Sequence, residues 1–246
     1  MAGNDARGGR TPLSLVGQEA DLAFYGRLAA ERGAGGPVLL LGSATGRIAW
    51  ELAERGLQVV GVDPSERMIH AAEERRAQVA PEVSARARFQ VADVRGLRLS
   101  ETFPLVLAPQ HALGLMAGPE ELEAFLTTVR LHLAPGGTFA FDVLNPQRPP
   151  LPDEDQDPTA GLEPQRLPFA FHLRERTRSG QAGGIRRLRL QHFSAEELEA
   201  ALAACGLTER ERYGRFDGKP FDADDTRHIG VAGLAEPAGS GAPAAS

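Results

Sequence analysis

The residues best suited to hold a polar ligand stand where apolar runs end. Gly42, Ser43, Ala44, Thr45 and Gly46 follow the run Val38, Leu39, Leu40, Leu41. Glycines let the backbone turn through conformations closed to other residues and approach a ligand closely, and a turn that opens a helix presents unpaired N–H groups. Asp63 ends the next apolar run, 21 residues after Gly42. A carboxylate only accepts hydrogen bonds, through two oxygens, so it can serve both hydroxyls of a ribose. Its plainer reading is a helix N-cap, since Pro64 follows it and Glu66 stands three residues on. Asp93 ends a third run, with a turn cap as its plainer reading, and Pro109 to His111 follow a fourth. An imidazole titrates near neutral pH, which makes His111 the best-placed candidate for a general base, with a simple polar contact as the alternative and His192 in second place.

These positions require particular elements. Leu22, Tyr25, Leu28 and Ala29 share one face of an opening helix, with Tyr25 also readable as a core residue. Then strands and helices alternate: 38–41, a helix at 47–55 stopped by Gly56, 57–62, a helix from near Pro64, 87–93, 105–108, a helix before APGG, and 138–143. Short apolar strands alternating with amphipathic helices imply a parallel sheet covered on both faces, which is an α/β fold. In such sheets ligands bind beyond the carboxyl ends of the strands, where all of the residues above fall. Residues 145–168 are dense in proline and acid, 169–193 read as a β-hairpin, Ser194 and Glu197 form a capping box, and two final strands follow at LTERERY and HIGVAGL.

Composition narrows the function. The 246 residues carry a formal charge of −6, which argues against nucleic acid or an anionic membrane as the main partner. The hairpin arginines (174, 176, 178, 186, 187 and 189) lack aromatic stacking partners and read as a solvated face. One cysteine, Cys205, and histidines without ligand spacing imply no metal site. No stretch has the length of a membrane span or the pattern of a signal peptide, so a soluble, cytoplasmic protein is expected. A single domain over 12–234, with an insert at 145–193 and disordered ends at 1–11 and 235–246, fits the chain length. A dinucleotide fingerprint needs glycines at 42, 44 and 47, but Ala44 and Arg47 occupy two of these places; Gly46 instead suits G-x-G-x-G.

Seven stretches in order, "DLAFYGRLA", "VLLLGSATGR", "VVGVDPSERMI", "FQVADVRGL", "LHLAPGGTFAFDVLNP", "HFSAEELEAAL" and "YGRFDGKPF", resemble the class I S-adenosylmethionine-dependent methyltransferases. Within that family they are similar to the small-molecule branch that opens with a D-x-x-F-Y helix. The resemblance implies a Rossmann-like fold with a seven-stranded, mostly parallel sheet whose last strand is antiparallel, and methyl transfer to N or O of a small-molecule acceptor, leaving S-adenosylhomocysteine. It implies that Gly42, Ser43, Ala44, Thr45 and Gly46 wrap the methionine part of the cofactor and that Asp63 holds its ribose. Pro64 and Met68 would lie along the adenine, Asp93 and Val94 at its amino edge, and Pro109 at the border after the fourth strand. Tyr25 and Arg47 would approach the amino acid end. Three positions depart from the family pattern: Leu40 stands in place of an acid, Ala44 in place of the middle glycine, and Pro104 in place of an aspartate. They make a protein of this fold that is catalytically inactive or only binds the cofactor the alternative reading.

Overall fold

The computed structural model of the chain describes residues 18–33, 35–147, 169–176 and 182–236, with residue 18 and residues 169–190 described through the backbone alone. The expected irregular ends, apart from residues 235 and 236, most of the proline-rich stretch and the hairpin arginine side chains lie outside this description. Helix α1 (Gln18–Arg32) leads to β1 (Val38–Leu41), α2 (Arg47–Glu54), β2 (Val59–Asp63), α3 (Glu66–Arg76), α4 (Pro81–Ser84) and β3 (Ala87–Val91). Next come β4 (Phe103–Ala108), α5 (Pro119–His132), β5 (Leu133–Leu144), the hairpin strands β6 (Phe169–Arg176) and β7 (Ala182–Leu190), α6 (Ala195–Ala204), β8 (Leu207–Tyr213) and β9 (Arg227–Leu234).

Seven strands form one sheet in the order β3-β2-β1-β4-β5-β9-β8, and β6 with β7 form a separate antiparallel pair. All neighbours from β3 to β5 are parallel, while β9 runs antiparallel between β5 and β8. The expected sheet is therefore present, with the order reversing between β1 and β4. Beyond the sequence reading are the short α4, two 3-10 turns at Val94–Gly96 and Ala112–Leu115, and a fifth strand that begins before the APGG turn rather than after it.

The continuous apolar character of β1 has a direct cause. Val38 and Leu40 face a cluster with Phe24, Leu28, Ile48 and Leu52 from α1 and α2, while Leu39 and Leu41 face a cluster with Phe125, Val129, Leu198 and Leu202 from α5 and α6. A strand covered on both sides cannot alternate with polar residues. Trp50 is fully buried, packs its ring 5.3 Å from that of Phe89 and donates its N–H to the Ala72 carbonyl at 3.0 Å. Helix α6 carries the expected capping box of Ser194 and Glu197.

Leu105 lies fully buried at the centre of the sheet, paired with Val38 on one side and Thr138 on the other. Leu105→Ala is expected to lower stability by about 2–5 kcal/mol, the range for emptying such a site. Chemical denaturation followed through Trp50, the one tryptophan in the chain, checks this.

Candidate active site

The turn after β1 bends through three left-handed residues: Gly42 at φ 79°, Ala44 at 48° and Gly46 at 76°. Ala44 thus adopts the conformation that the middle glycine of such a turn would take, at a cost of roughly 1 kcal/mol for a residue with a Cβ. The two glycines are held small by packing. A Cβ on Gly46 would come within 3.0 Å of Ala72 and Phe89, and one on Gly42 within 3.1 Å of Ala112. Helix α2 starts at Gly46 with no side-chain cap, whereas Ser65 caps α3 by accepting from the Met68 N–H.

Asp63 is not that cap. Its Oδ2 accepts from the Ala44 N–H and its Oδ1 from the Ser65 N–H, both at 2.9 Å, so the carboxylate fastens the β1 turn to the end of β2. Those bonds use two of the roughly four acceptor sites of a carboxylate. Ser43 faces inward, with its hydroxyl buried and unbonded. Thr45 and Pro64 are exposed, and Ala44 and Met68 half-buried. Asp93 caps the 94–96 turn through the Arg95 N–H and is gripped by the Arg95 guanidinium, which holds its carboxyl below the usual range; Val94 beside it is buried. The capping reading of Asp93 describes this arrangement.

Arg47 forms a two-pronged pair with Asp21 of α1, at 3.0 and 2.5 Å. Burial pushes the Asp21 carboxyl up, against the opposing pull of Arg47. Tyr25 is fully buried, and its hydroxyl donates to Asp142 Oδ1 at 2.7 Å. The core alternative describes it. Leu40 is likewise fully buried among apolar neighbours.

At the ends of β4 and β5 stands a cluster that sequence reasoning did not assemble. Pro109 is buried, and Gln110 and His111 both have left-handed backbones, at φ 57° and 62°. Asp142, 1% exposed, accepts from Tyr25, from the Gln110 N–H at 2.7 Å and from Arg227 at 2.8 Å. The same Arg227 terminal nitrogen lies 3.1 Å from His111 Nε2. A guanidinium only donates, so Nε2 must carry the lone pair and Nδ1 the proton. Nδ1 is buried 3.3 Å from Asp142 Oδ2, off the line that a hydrogen bond needs. Burial, reinforced by Arg227 and opposed by Asp142, pushes the His111 imidazole down to about 4. His111 in this arrangement is neutral, with its Nε2 lone pair facing Arg227. His192 is half-buried, and burial lowers it too.

Among the described residues no group of three or more His, Cys, Asp or Glu could hold a metal ion, and no helix is long and apolar enough to cross a membrane. A signal for the missed residues existed in two cases. Asp21 opens the D-x-x-F-Y stretch, and Asp142 is a lone charge in the apolar run TFAFDV. Arg227 carried none.

A histidine depressed when folded takes up protons on unfolding, so stability is expected to fall as pH drops from about 6.5 to about 4, by up to about 3 kcal/mol. His111→Gln removes that slope. Denaturation midpoints of both proteins across this window check it, and parallel curves would refute it.

Residues 38–137 match the family model described as a methyltransferase domain. A cypemycin N-terminal methyltransferase from Streptomyces sp is 33% identical over 112 residues, covering 46% of this chain and 43% of that protein, so the match spans less than half of the curated relative. The solved CcbJ methyltransferase from Streptomyces caelestis is similar at a TM-score of 0.74 and 27% identity, over 88% of this chain and 96% of the other. The glycopeptide N-methyltransferase MtfA, solved with S-adenosyl-L-methionine, shares the fold at a TM-score of 0.62 and 18% identity, over 89% of this chain and 93% of its own. With the strand order 3-2-1-4-5-9-8 and the β1 turn held by Asp63, these likenesses place the chain, through the methyltransferase domain at residues 38–137, among proteins with the class I S-adenosylmethionine-dependent methyltransferase fold.

Proposed function

We propose that this protein transfers a methyl group from S-adenosylmethionine to a small-molecule or peptide acceptor, at nitrogen or oxygen, with nitrogen favoured. The carrying observation is the Asp63 carboxylate, fixed at the carboxyl end of β2 by two backbone N–H groups, one from the turn after β1 and one from the turn before α3. Its remaining acceptor sites suit the two ribose hydroxyls. The turn at 42–46 fits the cofactor as well, because Ala44 keeps the left-handed bend and α2 begins with no side-chain cap on its first N–H groups. Nitrogen is favoured because one similar protein is named a glycopeptide N-methyltransferase and another an N-terminal methyltransferase, and a chain terminus of that kind carries an amine.

When bound, the cofactor supplies a methyl group activated on sulfur, so the protein contributes mainly proximity and alignment. In this reading the backbone of Gly42, Ser43, Ala44, Thr45 and Gly46 surrounds the methionine portion. Pro64 and Met68 flank the adenine, and Asp93 with the Val94 backbone borders its amino edge. Arg47, beside Asp21, places a guanidinium and a carboxylate together near the amino acid end, a complement to a zwitterion. Pro109 and His111 border the acceptor side, His111 as a neutral polar wall. An amine acceptor then sheds its proton to solvent.

A binding-only role is the second reading, favoured by Leu40, which is buried among apolar side chains where the family has an acid. Isothermal titration with S-adenosylmethionine and S-adenosylhomocysteine tests both. Saturable binding is expected, with Asp63→Ala weakening it by about 100-fold or more through the loss of two hydrogen bonds to a charged group. The fold of Asp63→Ala is checked by circular dichroism, and Asp63→Asn, which keeps one acceptor oxygen, should retain part of the affinity. No heat with either ligand at millimolar concentration, or an unchanged affinity in a folded Asp63→Ala, would overturn the assignment. Binding without methyl transfer to amines or hydroxyls would select the second reading.

A further inference from the structure

Asp142 lies at the ligand-binding end of the sheet yet is not used by the cofactor reading. It is 1% exposed, on the same face of β5 as Ala140, pointing toward α1. Three donors from three different parts of the chain converge on it: the Tyr25 hydroxyl from α1, the Gln110 N–H from the turn after β4, and Arg227 from the start of β9. Arg227 pairs across strands with Leu144 and reaches back two residues to Asp142, while Asn145 holds the preceding backbone through the Asp225 carbonyl at 2.7 Å and by donating its own N–H to the Thr226 carbonyl at 3.0 Å.

The turn that Asp142 holds is strained. Gln110 and His111 are consecutive non-glycine residues in the left-handed region, a conformation that persists only where surrounding contacts enforce it. The Gln110 N–H bond to Asp142 is one such contact. The strain is passed onward: the Gly114 N–H donates to the His111 carbonyl at 2.8 Å, and the Gly114 carbonyl accepts the Gln191 N–H at 2.6 Å, directly after β7. A buried ion pair adds little stability compared with apolar packing, so its presence here points to geometry rather than strength.

We propose that Asp142 is the positioning residue of the acceptor half of the site: its carboxylate joins α1, the 109–116 turn and the start of β9, and so sets where that turn, and the Gln191 backbone bonded to it directly after β7, stand. The methyl-transfer reading supplies what the cleft holds; the contacts stand without it.

Amide hydrogen exchange on the full chain tests this, alongside titration with S-adenosylhomocysteine. Asp142→Ala should speed exchange at residues 110–116 and 191 by about tenfold or more, as expected for losing a hydrogen bond to a charged group, while β1 and β4 exchange as before. Asp142→Asn keeps an acceptor oxygen for Tyr25 and Gln110 and should return the turn to within about threefold of its original protection. Affinity for S-adenosylhomocysteine should be the same in all three proteins. Should Asp142→Ala not fold, Tyr25→Phe removes one donor and should loosen residues 22–26 and 110–116 alone. Faster exchange spread evenly over the sheet, or no change at 110–116 in a folded variant, overturns the proposal. If the unaltered chain does not bind S-adenosylhomocysteine, the methyl-transfer reading falls while the exchange data still decide the role of Asp142.

Discussion

A carboxylate taken out of water must be surrounded by donors, and that requirement organises the cleft end of this protein. Desolvation alone would drive the Asp142 carboxyl upward, yet its surroundings, with Arg227, the Tyr25 hydroxyl and the Gln110 N–H donating to it, hold it below its ordinary value. Each donor belongs to a different segment, so keeping the charge satisfied keeps those segments in fixed relation. Tyr25 feels the reverse effect: burial and the adjacent anion push its hydroxyl well up, so it stays a donor.

The two carboxylates at the ends of β2 and β5 show how burial divides labour. Asp63 takes its partners from the backbone of two adjacent turns, which leaves about two of its acceptor sites unused. Asp142 spends three of its acceptor sites inside, at 1% exposure. One leaves acceptor sites that the chain does not use, and the other ties three segments of the chain together. The neutrality of His111 follows from the second arrangement, because one guanidinium nitrogen serves the carboxylate and the imidazole at once.

The sheet and the cofactor turn were legible in the sequence because their signals are local. Four apolar residues before Gly42, a helix stopped by Gly56 and a capping box at Ser194 are each decided within a few positions, and the structure has each of them. Asp63 was also legible, as an acid ending a strand, although the helix cap turned out to be Ser65. The Asp142 cluster was not, since it joins residues 25, 110, 142 and 227, whose separations no periodicity encodes. Tyr25 illustrates the difference: its place on the buried face of α1 could be read from spacing, but its hydroxyl partner lies 117 positions away. His111 fared likewise, because its distance from strand β4 was readable while the guanidinium that occupies its lone pair was not.

Strand β9 is last in sequence but not last in space, since it inserts between β5 and β8. The turn of the cofactor end is complete once β1, β2 and the residues between them are in place. The other end waits for Arg227, 85 positions beyond the aspartate it meets. Contacts of such separation close late, after more local structure has formed. During synthesis on the ribosome, therefore, this chain can close the 42–46 turn onto Asp63 well before Arg227, the last of the three donors to Asp142, has been made.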